Sequence, residues 1–242
     1  MHLDALAIGA HPDDVELFAG GTLARLAAAG RKTGIVDLTR GELGTRGSAE
    51  LRAEEAREAA RHLGLALRDN LGLPDGSVVE SPAARVELIR VLRKHRPRIV
   101  LTHYWEDRHP DHVAASRLVA AAAHHAGLAR IDTGQERFRP AAVLYFKLPP
   151  HQVPSFVVDV SDFAAQRRAA IAAYRSQLFD PESRDPATYL SRPDFLEQVE
   201  SVASYYGALI GKAKGEAFYV KNVMEVRDPV EMFDEARPLG LF

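Results

Sequence analysis

The feature that most constrains the fold is a regular alternation of short apolar segments with longer helical patterns in the first half of the chain. Mostly apolar segments of strand length lie at 6–9, 35–38 and 99–102, and a further short strand is predicted near 65–71. The intervening helical patterns end near residues 29, 63, 95 and 127, and Gly30 and Gly64 follow the first two as typical stops. Ser48 and the pair Ser81-Pro82 are typical caps of helix starts. Strands that alternate with helices in this way form βαβ units.

The predicted fold class is therefore α/β, with a doubly wound, mostly parallel, Rossmann-like sheet and helices on both faces. One domain is expected to span residues 1–242. In the common strand order 3-2-1-4-5, the chain reverses direction between strands one and four, and ligands bind beyond the carboxyl ends of the strands at that point. A ligand crevice is thus expected directly after residues 9 and 102.

Weaker patterns fill the second half of the chain. In order, they predict strands at 143–146 and 156–160, a helix capped by Ser161, a loop at 179–192, a helix at 193–212 and an edge strand at 216–220. The helix that follows Ser161 is expected to carry Arg167, Ala170 and Tyr174.

Composition excludes several kinds of partner. The net charge is −2 and no long run of Lys or Arg occurs, so nucleic acid is not expected as a partner. No segment approaches about 18 uninterrupted apolar residues, the length that a membrane-spanning helix needs. The chain has no cysteine, which fits a cytoplasmic protein and excludes thiolate ligands. Any transition metal must therefore be held by His and carboxylate side chains.

Two clusters of His and Asp fall where the crevice is expected. Ala10-His11-Pro12-Asp13-Asp14 follows the first strand, and the segment 103–112, which ends in His109-Pro110-Asp111-His112, follows the fourth. Neither cluster was located from the fold, so their coincidence with the crevice indicates a functional site.

The residue types in these clusters are those of a catalytic metal centre. Imidazole and carboxylate suit Zn²⁺, and also Fe²⁺ or Mn²⁺. Two His and one Asp leave a coordination position open, and a water held there is deprotonated near neutral pH. One carboxylate of Asp13-Asp14 then binds metal, and the other serves as general base. His109 and His112 share one helix face. The spacing leaves open which of them binds metal and which assists catalysis, and Asp111 is placed to orient an imidazole.

At this point the chain resembles a known family. The segment 10–16 followed by Gly20-Gly21-Thr22, and the later His109-Pro110-Asp111-His112, are similar to the two motifs of the LmbE-like (PIG-L) deacetylases, which remove the acetyl group of N-acetylglucosamine conjugates. The loop 41–47 and the segment 52–55 extend the resemblance.

The resemblance implies a role for each residue of the clusters. It implies that His11, Asp14 and His112 hold the metal, Zn²⁺ or in the cell Fe²⁺, and that Asp13 is the base. It makes His109 the second acid/base or oxyanion group, with Asp111 behind it.

Within that family, the chain looks like the bacillithiol-biosynthesis branch, whose substrate is N-acetylglucosaminyl malate. Arg52 and Arg108 match positions at which that branch places arginines facing the malate carboxylates, a pairing that the guanidinium fork suits. The segments 174–177 and 206–218 are also similar to that branch. The resemblance further implies a homo-oligomer such as a hexamer.

Other functions compete with this interpretation. A related deacetylase would act on an inositol-linked sugar or a chitooligosaccharide, which carry no malate for the arginines to bind. A metallophosphoesterase would favour two metals, and a non-catalytic sugar- or nucleotide-binding module would bind without turnover. The sequence assigns no role to Glu42, Arg46, His103 or the loop 180–192.

Overall fold

Seven strands form one mixed sheet in the computed structural model, which describes residues 1–228 and 230. The strands are β1 (Ala5–Gly9), β2 (Thr33–Thr39), β3 (Leu67–Leu73), β4 (Ile99–His103), β5 (Ala142–Phe146), β6 (Phe156–Asp159) and β7 (Gly215–Val220). The helices are α1 (Asp14–Ala28), α2 (Ala49–Leu63), α3 (Pro82–His95), α4 (Pro110–His125), α5 (Ala164–Ala172) and α6 (Phe195–Leu209).

The sheet order is β3-β2-β1-β4-β5-β7-β6, and the first five of these strands are parallel. The predicted order 3-2-1-4-5 and the α/β fold class are therefore confirmed. Strands β1 and β2 are buried along their whole length, as expected for a sheet that is covered on both faces. Helices α3 and α4 pack on one face, and α1, α2 and α5 pack on the other. The order in which successive strands are added to the sheet reverses between β1 and β4, which lie side by side and parallel.

The predicted helix boundaries follow local chemistry where a cap is present. Ser48 accepts a hydrogen bond from the backbone amide of Leu51, and Ser81 accepts one from Ala84. Gly64 ends α2 with a φ of 67°, which glycine adopts without strain.

Three predictions for the second half are wrong. Strand β7 is not at the edge but lies between β5 and β6, antiparallel to both, and β6 is the edge strand. Ser161 does not cap α5, because it begins a short 3₁₀ turn and bonds Asp159 instead. Tyr174 follows the end of α5 rather than lying on it.

Within the described residues, no helix is both long and apolar enough to cross a bilayer. Residues 229 and 231–242 lie outside the described part, so the expectation of one domain over the whole chain stays a prediction.

Candidate active site

Both clusters border one cavity of about 620 Å³ at the carboxyl ends of β1 and β4. This volume is ordinary for a small-molecule site. Seven of the eight predicted site residues line it: His11, Asp13, Asp14, Arg52, Arg108, His109 and His112. The eighth, Asp111, is buried behind the wall.

Asp14 joins the two histidines that the family resemblance assigns to the metal. One of its carboxylate oxygens lies 3.3 Å from Nδ1 of His11, and the other lies 3.2 Å from Nε2 of His112. The backbone amide of His11 also donates to Asp14, at 2.8 Å, which fixes the carboxylate within the tight turn after β1. One nitrogen of each imidazole therefore faces the same carboxylate.

Carboxylates also occupy the opposite nitrogen of each ring. Nε2 of His11 lies 3.1 Å from Asp75 and 3.3 Å from Asp111. Nδ1 of His112 lies 3.0 Å from Asp107. A carboxylate on the far nitrogen sets the tautomer and orientation of a metal-binding histidine. The side chain of Asp111 thus contacts His11 and not His109. The contact of Asp111 with His109 is a backbone hydrogen bond, in which the Asp111 amide donates to Nδ1 of His109 at 3.3 Å.

The charges around these rings fit a divalent cation. Burial disfavours a charged imidazole, yet hydrogen bonds to Asp14 and Asp75 outweigh it and raise the pKa of His11 to about 11. Burial likewise opposes the ionisation of Asp14, but the charge of His112 holds the pKa of this carboxyl well below its usual range. Within the described residues, three overlapping groups have donor atoms within 4.8 Å of one another: His11, His109 and His112; Asp14, His103 and His112; and His11, Asp75 and Asp111. Imidazoles and carboxylate oxygens are the donors that Zn²⁺ and Fe²⁺ accept. The set that the family resemblance implies, His11, Asp14 and His112, shares members with all three groups but is not one of them.

Asp13 stands beside this group in a strained backbone. Its φ of 112° is one that non-glycine residues rarely adopt, and such strain concentrates at functional positions. Arg52 donates to its carboxylate at 2.8 Å. Burial raises the pKa of Asp13 to about 7 although the Arg52 charge opposes the rise. A carboxylate with a pKa near neutrality suits proton transfer at physiological pH.

His103 is fully buried below the cavity and contacts the site from behind. Its Nε2 accepts from the backbone amide of Ala10 at 3.0 Å and lies 3.3 Å from Asp14, while its ring stacks on His112. Burial lowers the pKa of His103 to about 4, so this ring is neutral. His103 thus packs against the ring of His112 and binds the backbone at the end of β1.

A buried ion pair, Arg167–Glu216, contacts the backbone of helix α1, which begins at the Asp13-Asp14 turn. Arg167 donates to the carbonyl of Leu17 at 2.6 Å, and Glu216 accepts from the amides of Gly21 and Thr22 at 2.8 and 2.7 Å. In a regular α-helix the carbonyl of Leu17 would accept a hydrogen bond from the amide of Gly21, four residues later. Here Arg167 binds that carbonyl and Glu216 binds that amide. The Arg167–Glu216 pair, 3.2 Å apart, therefore braces the helix at this point.

The two predicted carboxylate-binding arginines differ in their surroundings. Arg52 is buried, and Asp13 occupies part of its guanidinium. Glu55, one turn further along α2, accepts hydrogen bonds from the backbone amide and the hydroxyl of Ser176. Arg108 stacks on the Tyr189 ring at 4.6 Å, and no carboxylate among the described residues pairs with it.

The loops without an assigned role border the same cavity. Thr188, Tyr189 and Leu190 of the loop 180–192 line it. Glu42 accepts from the backbone amide of Asp75, and Arg46 lies 4.0 Å from Asp185 of that loop.

Sequence reasoning missed Asp75, Asp107 and Lys147. Lys147 lies 2.7 Å from Asp107 and lines the cavity. The signal for Lys147 was its position directly after β5, because β5 is the parallel neighbour of β4 and its carboxyl end opens on the same crevice. Asp107 lay within the second cluster but received no role, and Asp75 looked like an ordinary turn residue.

Comparison with known proteins shows which family this chain is similar to. The family model described as "PIG-L: GlcNAc-PI de-N-acetylase" matches residues 6–123. The diacetylchitobiose deacetylase of Thermococcus kodakarensis is 29% identical over 231 residues, which cover 87% of this chain and 80% of that protein.

Two solved structures are similar along most of their length. The conserved protein TT1542 from Thermus thermophilus superposes with a TM-score of 0.83 at 43% identity, covering 93% of this chain and 97% of that one. The N,N'-diacetylchitobiose deacetylase from Pyrococcus horikoshii gives 0.77 at 27% identity, covering 89% and 82%. The chain belongs to the LmbE-like (PIG-L) family of deacetylases.

Proposed function

We propose that this protein hydrolyses the N-acetyl group of an N-acetylglucosamine conjugate, with a divalent metal held by His11, Asp14 and His112. The observation that carries the proposal is the junction at Asp14, which lies within 3.3 Å of both imidazoles and directly next to Asp13. The deacetylase relatives support the reaction class. Zn²⁺ is the proposed metal, with Fe²⁺ as the alternative in the cell.

When bound, the metal supplies a Lewis acid, which polarises an amide carbonyl and eases deprotonation of water. Asp13 is placed to take the proton of the attacking water, and Arg52 fixes its carboxylate for this transfer. Asp13 then returns the proton to the amine nitrogen as the carbon–nitrogen bond breaks. The products are acetate and the free amino sugar, so atoms and protons balance.

His109 is the proposed hydrogen-bond donor to the substrate oxygen. Burial lowers the pKa of His109, so the ring is neutral at physiological pH. Its Nδ1 accepts from the Asp111 amide, which leaves the ring proton on Nε2. A neutral donor there stabilises charge that develops on the amide oxygen.

The proposed substrate is N-acetylglucosaminyl malate, in bacillithiol biosynthesis. The guanidinium of Arg108 supports this choice, because it lines the cavity without a carboxylate partner among the described residues. Arg52 carries less of the argument, since Asp13 already engages it. A cytoplasmic location and a homo-oligomer such as a hexamer complete the proposal.

The test is amine release from N-acetylglucosaminyl malate, from an inositol-linked N-acetylglucosamine, from a chitooligosaccharide and from plain N-acetylglucosamine. Each is assayed with and without added Zn²⁺, with Asp13→Ala as the control variant. Metal-dependent release from the malate conjugate alone, abolished in the variant, is the expected result. Turnover of another conjugate in its place would keep the reaction and discard the malate substrate. No turnover of any N-acetyl sugar by metal-loaded protein would overturn the proposal, and turnover of a phosphate ester would then favour a metallophosphoesterase.

A further inference from the structure

Lys147 has a backbone conformation that lysine rarely adopts. Its φ is 58°, in the left-handed region, where a side chain with a β-carbon is disfavoured. It follows directly on Phe146, which is fully buried and pairs with His103 across the sheet. Glycine would fill this position without strain. Retained strain at the rim of a cavity points to a use for the side chain.

That side chain reaches the far side of a proposed metal ligand. The ammonium nitrogen of Lys147 lies 2.7 Å from Oδ2 of Asp107 and 3.0 Å from Nδ1 of His112. The same Asp107 oxygen lies 3.0 Å from Nδ1 of His112. The three groups therefore form a closed triangle on the side of the imidazole that faces away from Asp14.

Asp107 has little freedom within this triangle. Its side chain is only 5% exposed, and its other oxygen accepts from the backbone amide of His109 at 2.9 Å. Lys147 supplies the positive charge that balances this buried carboxylate. Without that charge, Asp107 would keep its contact with the His112 ring but would lose the cation that stabilises it in place.

We propose that Lys147 is a positioning residue of the metal centre, which holds Asp107 so that Asp107 fixes the ring of His112. The left-handed backbone of Lys147 is the conformation that delivers its ammonium group to this point. The inference rests on the proposed function, because it takes His112 as a metal ligand. It goes beyond that function in giving Lys147 and Asp107 a role that no ligand assignment requires.

The test separates strain from metal binding in two variants that both lose the ammonium group. Lys147→Gly removes the backbone strain, whereas Lys147→Met keeps it. Two quantities are measured: the melting temperature of the metal-free protein, and Zn²⁺ affinity by competition with a chromophoric chelator. Lys147→Arg, which keeps a cation, and His112→Ala, which removes a ligand, are the controls.

We expect both Lys147 variants to weaken Zn²⁺ binding by up to about 10-fold, the lower end of the cost of removing the group that orients a metal ligand, because Asp107 is retained but held less firmly. Metal-free Lys147→Gly should melt at a higher temperature than Lys147→Met, and Lys147→Arg should recover most of the affinity. A residue with a purely structural role would change the melting temperature and leave the affinity unchanged.

Wild-type affinity in both Lys147 variants, with affinity lost in His112→Ala, would overturn the positioning role and leave the proposed metal site intact. Wild-type affinity in His112→Ala would instead overturn the metal site, and the inference with it. A Lys147→Met variant as stable as Lys147→Gly would refute the claim of strain.

Discussion

We predict that Arg68 contributes strongly to the stability of the folded state next to the Asp13-Asp14 turn. Its side chain is 8% exposed, and its guanidinium bonds Glu16 of α1, lies 2.7 Å from Asp37 of β2 and donates to the Tyr174 hydroxyl at 2.9 Å. Tyr174 in turn donates to Glu16 at 2.8 Å. Two buried carboxylates from different elements therefore share one cation. Glu16 comes two residues after Asp14, so the cluster also supports the site.

Replacement of Arg68 by Met would leave both carboxylates buried without that cation. Removal of one partner from a buried ion pair costs about 3–5 kcal/mol in free energy of unfolding. For a chain of this size, that loss corresponds to a fall of about 6–20 °C in melting temperature.

The loss should depend on pH in a defined direction. Burial raises the pKa of Asp37 to about 7 although Arg68 opposes the rise. The folded protein therefore binds this proton more tightly than the unfolded chain does. The resulting stability is present below the unfolded pKa of 3.8 and is lost as pH rises to about 7. Without Arg68 the pKa of Asp37 rises further, so the deficit of the variant should be larger at about pH 8 than at about pH 5.

Urea unfolding followed by circular dichroism at both pH values measures this deficit. Arg90→Met is the matched control, because Arg90 is half-exposed and pairs only with the exposed Glu87 among the described residues. The control should change the free energy of unfolding by less than about 1 kcal/mol. An Arg68→Met protein as stable as the control at both pH values would refute the reasoning.

Three further predictions concern the site and its helix. Gly21→Ala should lower the free energy of unfolding, measured in urea, by about 1–3 kcal/mol, because the added β-carbon would lie 2.9 Å from the Val160 side chain. In the matched control Gly20→Ala, the added β-carbon has its nearest neighbour at 3.6 Å, so the free energy of unfolding should be unchanged or higher. Arg52→Met should lower kcat by about 100-fold in steady-state assays, because it frees the Asp13 carboxylate, and an unchanged kcat would exclude a role for Arg52 in placing the base. Arg108→Gln should raise KM for the malate conjugate by about 10- to 100-fold and leave KM for N-acetylglucosamine unchanged; equal changes for both would discard the carboxylate contact.

The parallel part of the fold could be predicted because its signals are local. Strands β1, β2 and β4 each contain a short buried apolar run, and caps such as Ser48 and Gly64 mark the helix ends. The position of β7 could not be read in this way. Its pairing with β5 and β6 joins segments that are distant in sequence, and the pattern of 216–220 fits an interior strand as well as an edge strand.

Part of the candidate site could likewise be predicted from the sequence, and part could not. The two His and Asp clusters could be predicted to converge because the carboxyl ends of neighbouring parallel strands meet at one edge of the sheet. Asp75 could not, because it reaches His11 from a loop whose course depends on tertiary packing. The position of Lys147 directly after β5 indicated the same crevice, but its contact with His112 depends on a left-handed backbone that the sequence does not predict. The engagement of Arg52 by Asp13 was also beyond the sequence, since it joins the first helix turn to α2.

The central claim is that Asp13 acts as the base beside a metal held by other side chains. The most direct test is turnover of N-acetylglucosaminyl malate by wild type and by Asp13→Asn, each with its bound Zn²⁺ quantified per chain. We expect equal metal content in the two proteins and a loss of turnover of about 100-fold or more in the variant. Wild-type turnover in metal-loaded Asp13→Asn would contradict it.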